Sequence, residues 1–260
     1  MWTTDSESHF DAHFTEYMDL LAPLFDLHDP CGVTELFEYI CCLIQPSGVE
    51  GLDENPLLES TALIDDLAAF SRQDMPAHDF SHPRRTHARL ALLSYCHLTE
   101  ADFFYHLLVN LLRVKVGERW ALAPFYDMGR PVGKKSADAG KRIPATPNQK
   151  IARVSDYAGK AGMPAIASVL KVIYLPDVRN AVFHADYTIS ETEFHMIRGH
   201  YHSPRGYLTR DVPLQELLAI VDRCFAFFYA LLNRRDLARG KLTHLKNGSS
   251  WNRVGEKARF

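Results

Sequence analysis

The chain has 260 residues, 47% of them apolar and 23% charged, a balance that excludes collagen-like, low-complexity and wholly disordered chains. That length suffices for one large domain or two small ones with a real core. The net charge of −3 hides an asymmetry: residues 1–71 hold fifteen Asp or Glu and no Lys or Arg, while residues 72–260 carry all 29 basic residues against seventeen acids.

The first ten residues, MWTTDSESHF, are acidic where a secretory signal would be basic, and no apolar run reaches the length of a membrane span. A cytoplasmic protein with no membrane partner is expected. Weak helical periodicity runs over 10–21, 34–44 and 57–70, making residues 1–71 an acidic helical region, separate or packed into the main domain. A further weak helix covers 84–95. Thr99 and Asp102 form a capping-box-like start before Phe103, Phe104, Leu107, Leu108, Leu111 and Leu112, a strong helix expected to begin at Thr99 and stop near Gly117.

Residues 129–147 hold three Gly and three Pro and too few apolar residues to bury themselves, so an exposed loop is expected there. Seven cations gather in and just after it, Arg130, Lys134, Lys135, Lys141, Arg142, Lys150 and Arg153, against Asp138 alone. They are the candidate contacts to a phosphate backbone. Helices follow at 149–160 and 164–174, then the stretch LPDVRNAVFHADY at 175–187. Alternation of Tyr187, Ile189, Phe194 and Met196 with polar residues before Arg198-Gly199 predicts a small hairpin. Pro213 to about Ala238 repeats apolar residues every three or four positions, a long core-facing helix with Asp211 and Pro213 as start signals. Residues 239–260 read as a basic flexible tail.

Cys31, Cys41, Cys42, Cys96 and Cys224 form no CxxC pair and lie in apolar patterns, as buried free thiols do. His78, Asp79, His82 and His87, and separately His195, His200 and His202, cluster without the spacing of a metal-ligand set, so no metal is assigned. No GxxxxGK[ST] or GxGxxG occurs, which lowers NTPase and dinucleotide readings, and no cofactor is expected.

In LPDVRNAVFHADY, Pro176 suits the first turn of a short helix, and Asp177 complements its dipole. At about 100° per residue, Asn180 and His184 share a face, so Asn180 can orient the imidazole, whereas Arg179 lies about 140° from His184. Arg179 must then reach round, the helix must unwind at His184, or two copies of the motif must meet across a symmetric dimer. A purely structural reading pairs Arg179 with Asp177 or Asp186 and makes His184 a helix-terminal residue favoured by the dipole.

Arg179-Asn180-Ala181-Val182-Phe183-His184 resembles the hallmark of the HEPN superfamily, an Arg, a polar residue directly after it, and a His four to six residues further on, on a late helix of a helical bundle. The spacing recurs at Arg239–His244 and, longer, at Arg72–His78. Context selects Arg179–His184, which has an apolar helix before it and a long amphipathic helix after it. The resemblance implies a mainly α, HEPN-like up-and-down helical bundle over 72–238, with a small β-hairpin insertion after the motif helix and a homodimeric assembly. It further implies a metal-independent RNA endonuclease in which His184 moves protons, Arg179 stabilises a phosphorane, Asn180 supports the geometry, and the product ends in a 2′,3′-cyclic phosphate. A toxin, phage-defence or RNA-processing setting, with an antitoxin or activating partner, comes with the same resemblance. HEPN-like proteins also include catalytically silent members, so an RNA- or protein-binding module is the alternative. In either case the acidic residues 1–71 could mimic phosphate and cover the basic surface.

Overall fold

The long apolar repeat near the C-terminus becomes helix α8, Leu214–Asn247, the spine on which the other elements collect. Val221, Cys224, Ala226, Phe227, Phe228 and Leu231 are all buried. They point to every side of the helix, so its middle is enclosed rather than striped. The computed structural model describes residues 6–26, 32–44, 83–131, 142–202 and 208–247, with single positions at 62 and 66. The helix expected at 57–70 lies, but for those two positions, outside the described residues, as does Cys31.

Helix α1, Ser6–Leu21, lies along α8 with Tyr17 and Leu21 fully buried. Tyr17 meets Phe227 edge to face at 5.5 Å between ring centroids, and Arg223 Nε donates to its hydroxyl at 3.3 Å. Burying each such aromatic or leucine side chain contributes about 1.5–3 kcal/mol by withdrawing its apolar surface from water. The acidic and basic parts of the chain do meet, and as one core. Around this pair sit α2, Val33–Ile44, α3, Pro83–Glu100, α4, Asp102–Lys115, α5, Pro147–Lys160, and α6, Pro164–Ile173. The fold is a mainly α bundle with a small β insertion. Among the described residues no helix is long and apolar enough to cross a membrane.

Helix α4 begins at Asp102 behind Ala101, which makes no side-chain cap. Thr99 belongs to the last turn of α3, where its hydroxyl donates to the Cys96 carbonyl at 3.1 Å. The capping-box reading of Thr99 and Asp102 is therefore corrected: the Asp102 carboxylate is spent on Lys150. A reciprocal capping box does open α5, with Thr146 and Gln149 exchanging backbone and side-chain bonds.

Strands β1, Arg130–Pro131, and β2, Arg142–Ile143, pair antiparallel and close the neck of the basic loop. After the motif helix come β3, Tyr187–Ile189, β4, Glu193–Met196, β5, Tyr201–His202, β6, Leu208–Thr209, and β7, Asp211–Pro213. The expected hairpin β3–β4 gains β7 as a third strand, in the order β3-β4-β7, while β5 pairs with β6. Asp211 and Pro213, read as helix-start signals, thus belong to a strand. Asp211 stands opposite His195, with its carboxylate 2.5 Å from Nδ1, and Val212 stands opposite Phe194 in the core. Helix α8 also runs past residue 238, so 239–247, expected in the tail, are helical. Residues 248–260 lie outside the described residues.

Helix α7, Pro176–Phe183, carries the motif. Its start is set by one buried hydroxyl on α3. Tyr95 Oη donates to the Ile173 carbonyl at 3.0 Å and accepts from Leu175 N–H at 2.7 Å, bracing the break between α6 and α7. Pro176 then occupies the first turn, and Val178, Ala181 and Val182 seat the helix on the core.

Candidate active site

Helix α7 ends in a tight turn at the motif histidine. Ala185 adopts φ +54°, Asp186 N–H bonds the Ala181 carbonyl at 2.9 Å, and Ala185 N–H bonds that of Val182 at 3.2 Å. This is a Schellman ending with alanine where glycine is usual. The left-handed position costs a non-glycine residue roughly 1–2 kcal/mol. Strain is thus stored directly beside His184, which caps the helix and is exposed.

Two of the open clefts along the helix hold the motif side chains. His184 lines one of about 460 Å³, together with Asp177, Asn180, Asp186, Arg198 and Gly199. Arg179 lines the other, of about 470 Å³, with Glu100, Asn148, Lys150 and Tyr174. Asn180 belongs to both walls, and the helical period accounts for the separation of Arg179 from His184.

Arg179 is pinned. Its Nη2 lies 2.6 Å from Glu100 Oε1, its Nη1 donates to Asn180 Oδ1 at 2.8 Å, and its guanidinium stacks on the Phe183 ring at 4.5 Å from the centroid. The carboxylate partner is Glu100 of α3, in place of Asp177 or Asp186. Asn180 is joined to His184 through the backbone, His184 N–H to the Asn180 carbonyl at 3.0 Å, while its side-chain oxygen serves Arg179. The expected side-chain orientation of the imidazole by Asn180 is therefore not formed among the described residues. Behind Arg179, burial pushes the Cys96 thiol up to about 12 despite the cation, and raises the Tyr174 phenol to about 12. Neither is a nucleophile near neutral pH.

Sequence reasoning passed over Arg198, taken only as part of a turn. The segment after β4 is tied along α7 at both ends: Ile197 N–H donates to the Asp186 carbonyl at 2.8 Å, and His200 N–H to Asp177 Oδ2 at 3.3 Å. Gly199 permits the approach, with φ +88° and space so tight that a Cβ would lie 3.2 Å from Asp177 Cβ. Arg198 is thereby set in the His184 cleft, with Nε 3.5 Å from Asp186 Oδ2. The glycine after Arg198 was the available signal.

The proposed phosphate-backbone contacts separate. Arg130 is exposed on β1, Arg142 lies in β2 opposite Pro131, and Lys134, Lys135 and Lys141 lie outside the described residues. Lys150 and Arg153 are engaged within the chain. Lys150 is buried, ion-paired with Asp102 and near the Tyr105 ring. Arg153 is forked onto Asp127 at 2.6 and 2.9 Å and donates to the Pro124 carbonyl. A charge count along the chain cannot register which way α5 rotates its residues.

No described residue of 1–44 lines either cleft, and α1 is part of the core, so among the described residues the acidic region does not cover the motif. No group of three His, Cys, Asp or Glu side chains converges among the described residues. The described cysteines 41, 42, 96 and 224 are free thiols. Comparison with family models, with curated proteins and with solved structures returns no match to this chain.

Proposed function

We propose that the chain is an endoribonuclease of HEPN type, cleaving RNA without a metal. The observation that carries this reading is the cleft in which exposed His184 and Asn180, one helical turn apart, stand beside Arg198 at a strained helix end. Such a cleft offers an imidazole able to accept and return a proton together with donors for phosphate oxygens. In the reaction the 2′-oxygen forms a bond to phosphorus and its proton passes to His184. The bond from phosphorus to the 5′-oxygen breaks, and that oxygen takes a proton, leaving a 2′,3′-cyclic phosphate. No oxidant, water or metal enters the balance. Arg179, the residue to which the resemblance gives the phosphorane charge, faces the neighbouring cleft of the same chain. The resemblance implies a homodimer with adjoining motif helices, and within one chain the cation that lines the His184 cleft is Arg198.

The second reading, a catalytically silent RNA- or protein-binding module, is favoured by the same ion pair, since Arg179 is spent on Glu100. RNA cleavage in excess EDTA by wild type, Arg179→Ala and His184→Ala separates the two. Cleavage by the wild type alone, with cyclic phosphate ends, supports the nuclease. Losing a proton-transfer group should slow turnover about 10²–10⁴-fold in His184→Ala. RNA binding by all three with no cleavage supports the module, and equal cleavage by all three refutes the motif assignment.

A further inference from the structure

The His184 cleft contains an arginine that the motif does not include. We infer that Arg198 is the cation that meets the scissile phosphate opposite His184, and that Arg179 acts from behind it as a positioning residue for Asn180. The inference rests on the ribonuclease reading above and names the machinery of that same site.

Three observations carry it. Arg198 and His184 line one cleft of one chain, whereas Arg179 lines the next. The Arg198 side chain is 83% exposed, and its one described carboxylate contact is the 3.5 Å approach to Asp186. A contact so long, made by a cation so exposed to a carboxylate that is itself 26% exposed, is weaker than the forked, charge-assisted bonds a phosphodiester offers. Arg179, by contrast, is about one quarter exposed, holds Glu100 at 2.6 Å and stacks on Phe183. Reaching a phosphate would make Arg179 give up the 2.6 Å ion pair, the Asn180 hydrogen bond and the ring contact together.

What Arg179 does where it stands is orient an amide. By donating to Asn180 Oδ1 it leaves the NH₂ of Asn180, on the wall shared by both clefts, as the donor half for a ligand. The cleft also contains Asp177 and Asp186, which already accept from His200 N–H and pair with Arg198 respectively. Without Arg198 the cleft would present two carboxylates to an anionic substrate. With it, one phosphodiester is matched by one exchangeable cation. The substrate this cleft suits is a single flexible phosphodiester carrying a 2′-hydroxyl, as in unpaired RNA, because the 2′-oxygen must swing in line with the leaving oxygen. The backbone ties at Ile197 and His200 hold Arg198 in place.

The test measures single-turnover and steady-state cleavage of an unpaired RNA oligonucleotide in EDTA by wild type, Arg198→Ala, Arg198→Lys and His184→Ala. Each variant is checked for a wild-type melting temperature, which the exposure of Arg198 allows. Loss of a transition-state donor predicts a kcat about 10²–10³-fold lower in Arg198→Ala, with partial recovery in Arg198→Lys. Unchanged kcat in Arg198→Ala, or an effect on KM alone, overturns the assignment. Mixing Arg198→Ala with His184→Ala chains is the second readout. Because both residues serve one cleft of one chain, the mixture cleaves no faster than Arg198→Ala alone, and activity restored toward wild type would mean they come from different chains and overturns the assignment. An inactive wild type fails the ribonuclease reading and this inference with it. An active wild type with inactive His184→Ala and fully active Arg198→Ala fails this inference alone.

Discussion

The buried pair of Lys150 and Asp102 gives an asymmetric prediction. The Lys150 side chain is 5% exposed and that of Asp102 is 57% exposed. Asp102→Asn keeps the volume but removes the charge facing a buried ammonium that also lies over the Tyr105 ring, 5.5 Å from Nζ. Removing the partner of a buried charge costs about 3–5 kcal/mol. Because Asp102 sits half in water, where its attraction is screened, we expect about 2 kcal/mol. Lys150→Met keeps the aliphatic stem, removes the buried charge and leaves Asp102 to solvent, so its effect should stay within about 1 kcal/mol. Urea unfolding of the two variants and of the double variant reads the difference, with the double variant expected near Lys150→Met. Binding of labelled RNA, followed by anisotropy, should be unchanged in Lys150→Met. If Lys150→Met is the more destabilising change, or is folded yet loses RNA binding, the structural role given to Lys150 is wrong.

Tyr95→Phe removes a buried hydroxyl that serves both Ile173 and Leu175, so it should cost about 1–3 kcal/mol in chemical denaturation and reduce RNA cleavage by loosening the start of α7. A wild-type midpoint would mean the break between α6 and α7 is held by packing alone. Ala185→Gly relieves a left-handed alanine at φ +54°, and after the entropic cost of glycine it should stabilise by about 0.5–1 kcal/mol in the same assay. Destabilisation would contradict the strain. Burial holds the His106 pKa below its ordinary value, with Asp102 opposing and Lys150 assisting. The unfolded chain therefore takes up this proton first as pH falls. The contribution is complete above the unfolded value of about 6.5 and is lost as pH falls through the folded one. Stability should decline from pH 7 toward pH 5, and His106→Phe, which keeps a ring against Phe125, should flatten that decline. An unchanged slope would remove His106 as its source.

Periodicity alone located α8, α4 and α6, because an apolar face repeated every three or four residues has few folded uses other than a buried helix. It also placed Asn180 and His184 on one face of α7 and Arg179 on another, since that angle is a property of the helix and needs no neighbours. Local signals failed where a side chain had a distant partner. Asp102 looked like a cap until α5 brought Lys150 to it, and Asp211 looked like a helix start until β4 brought His195. Glu100 and Arg198 are respectively 79 residues before and 19 after Arg179 in the chain. Their roles beside the motif exist only because Tyr95 fixes where α7 begins and Gly199 lets the following segment lie against it. Contacts of that kind are decided by packing between separate elements, and a one-dimensional charge or hydropathy pattern does not contain the rotation of one element against another.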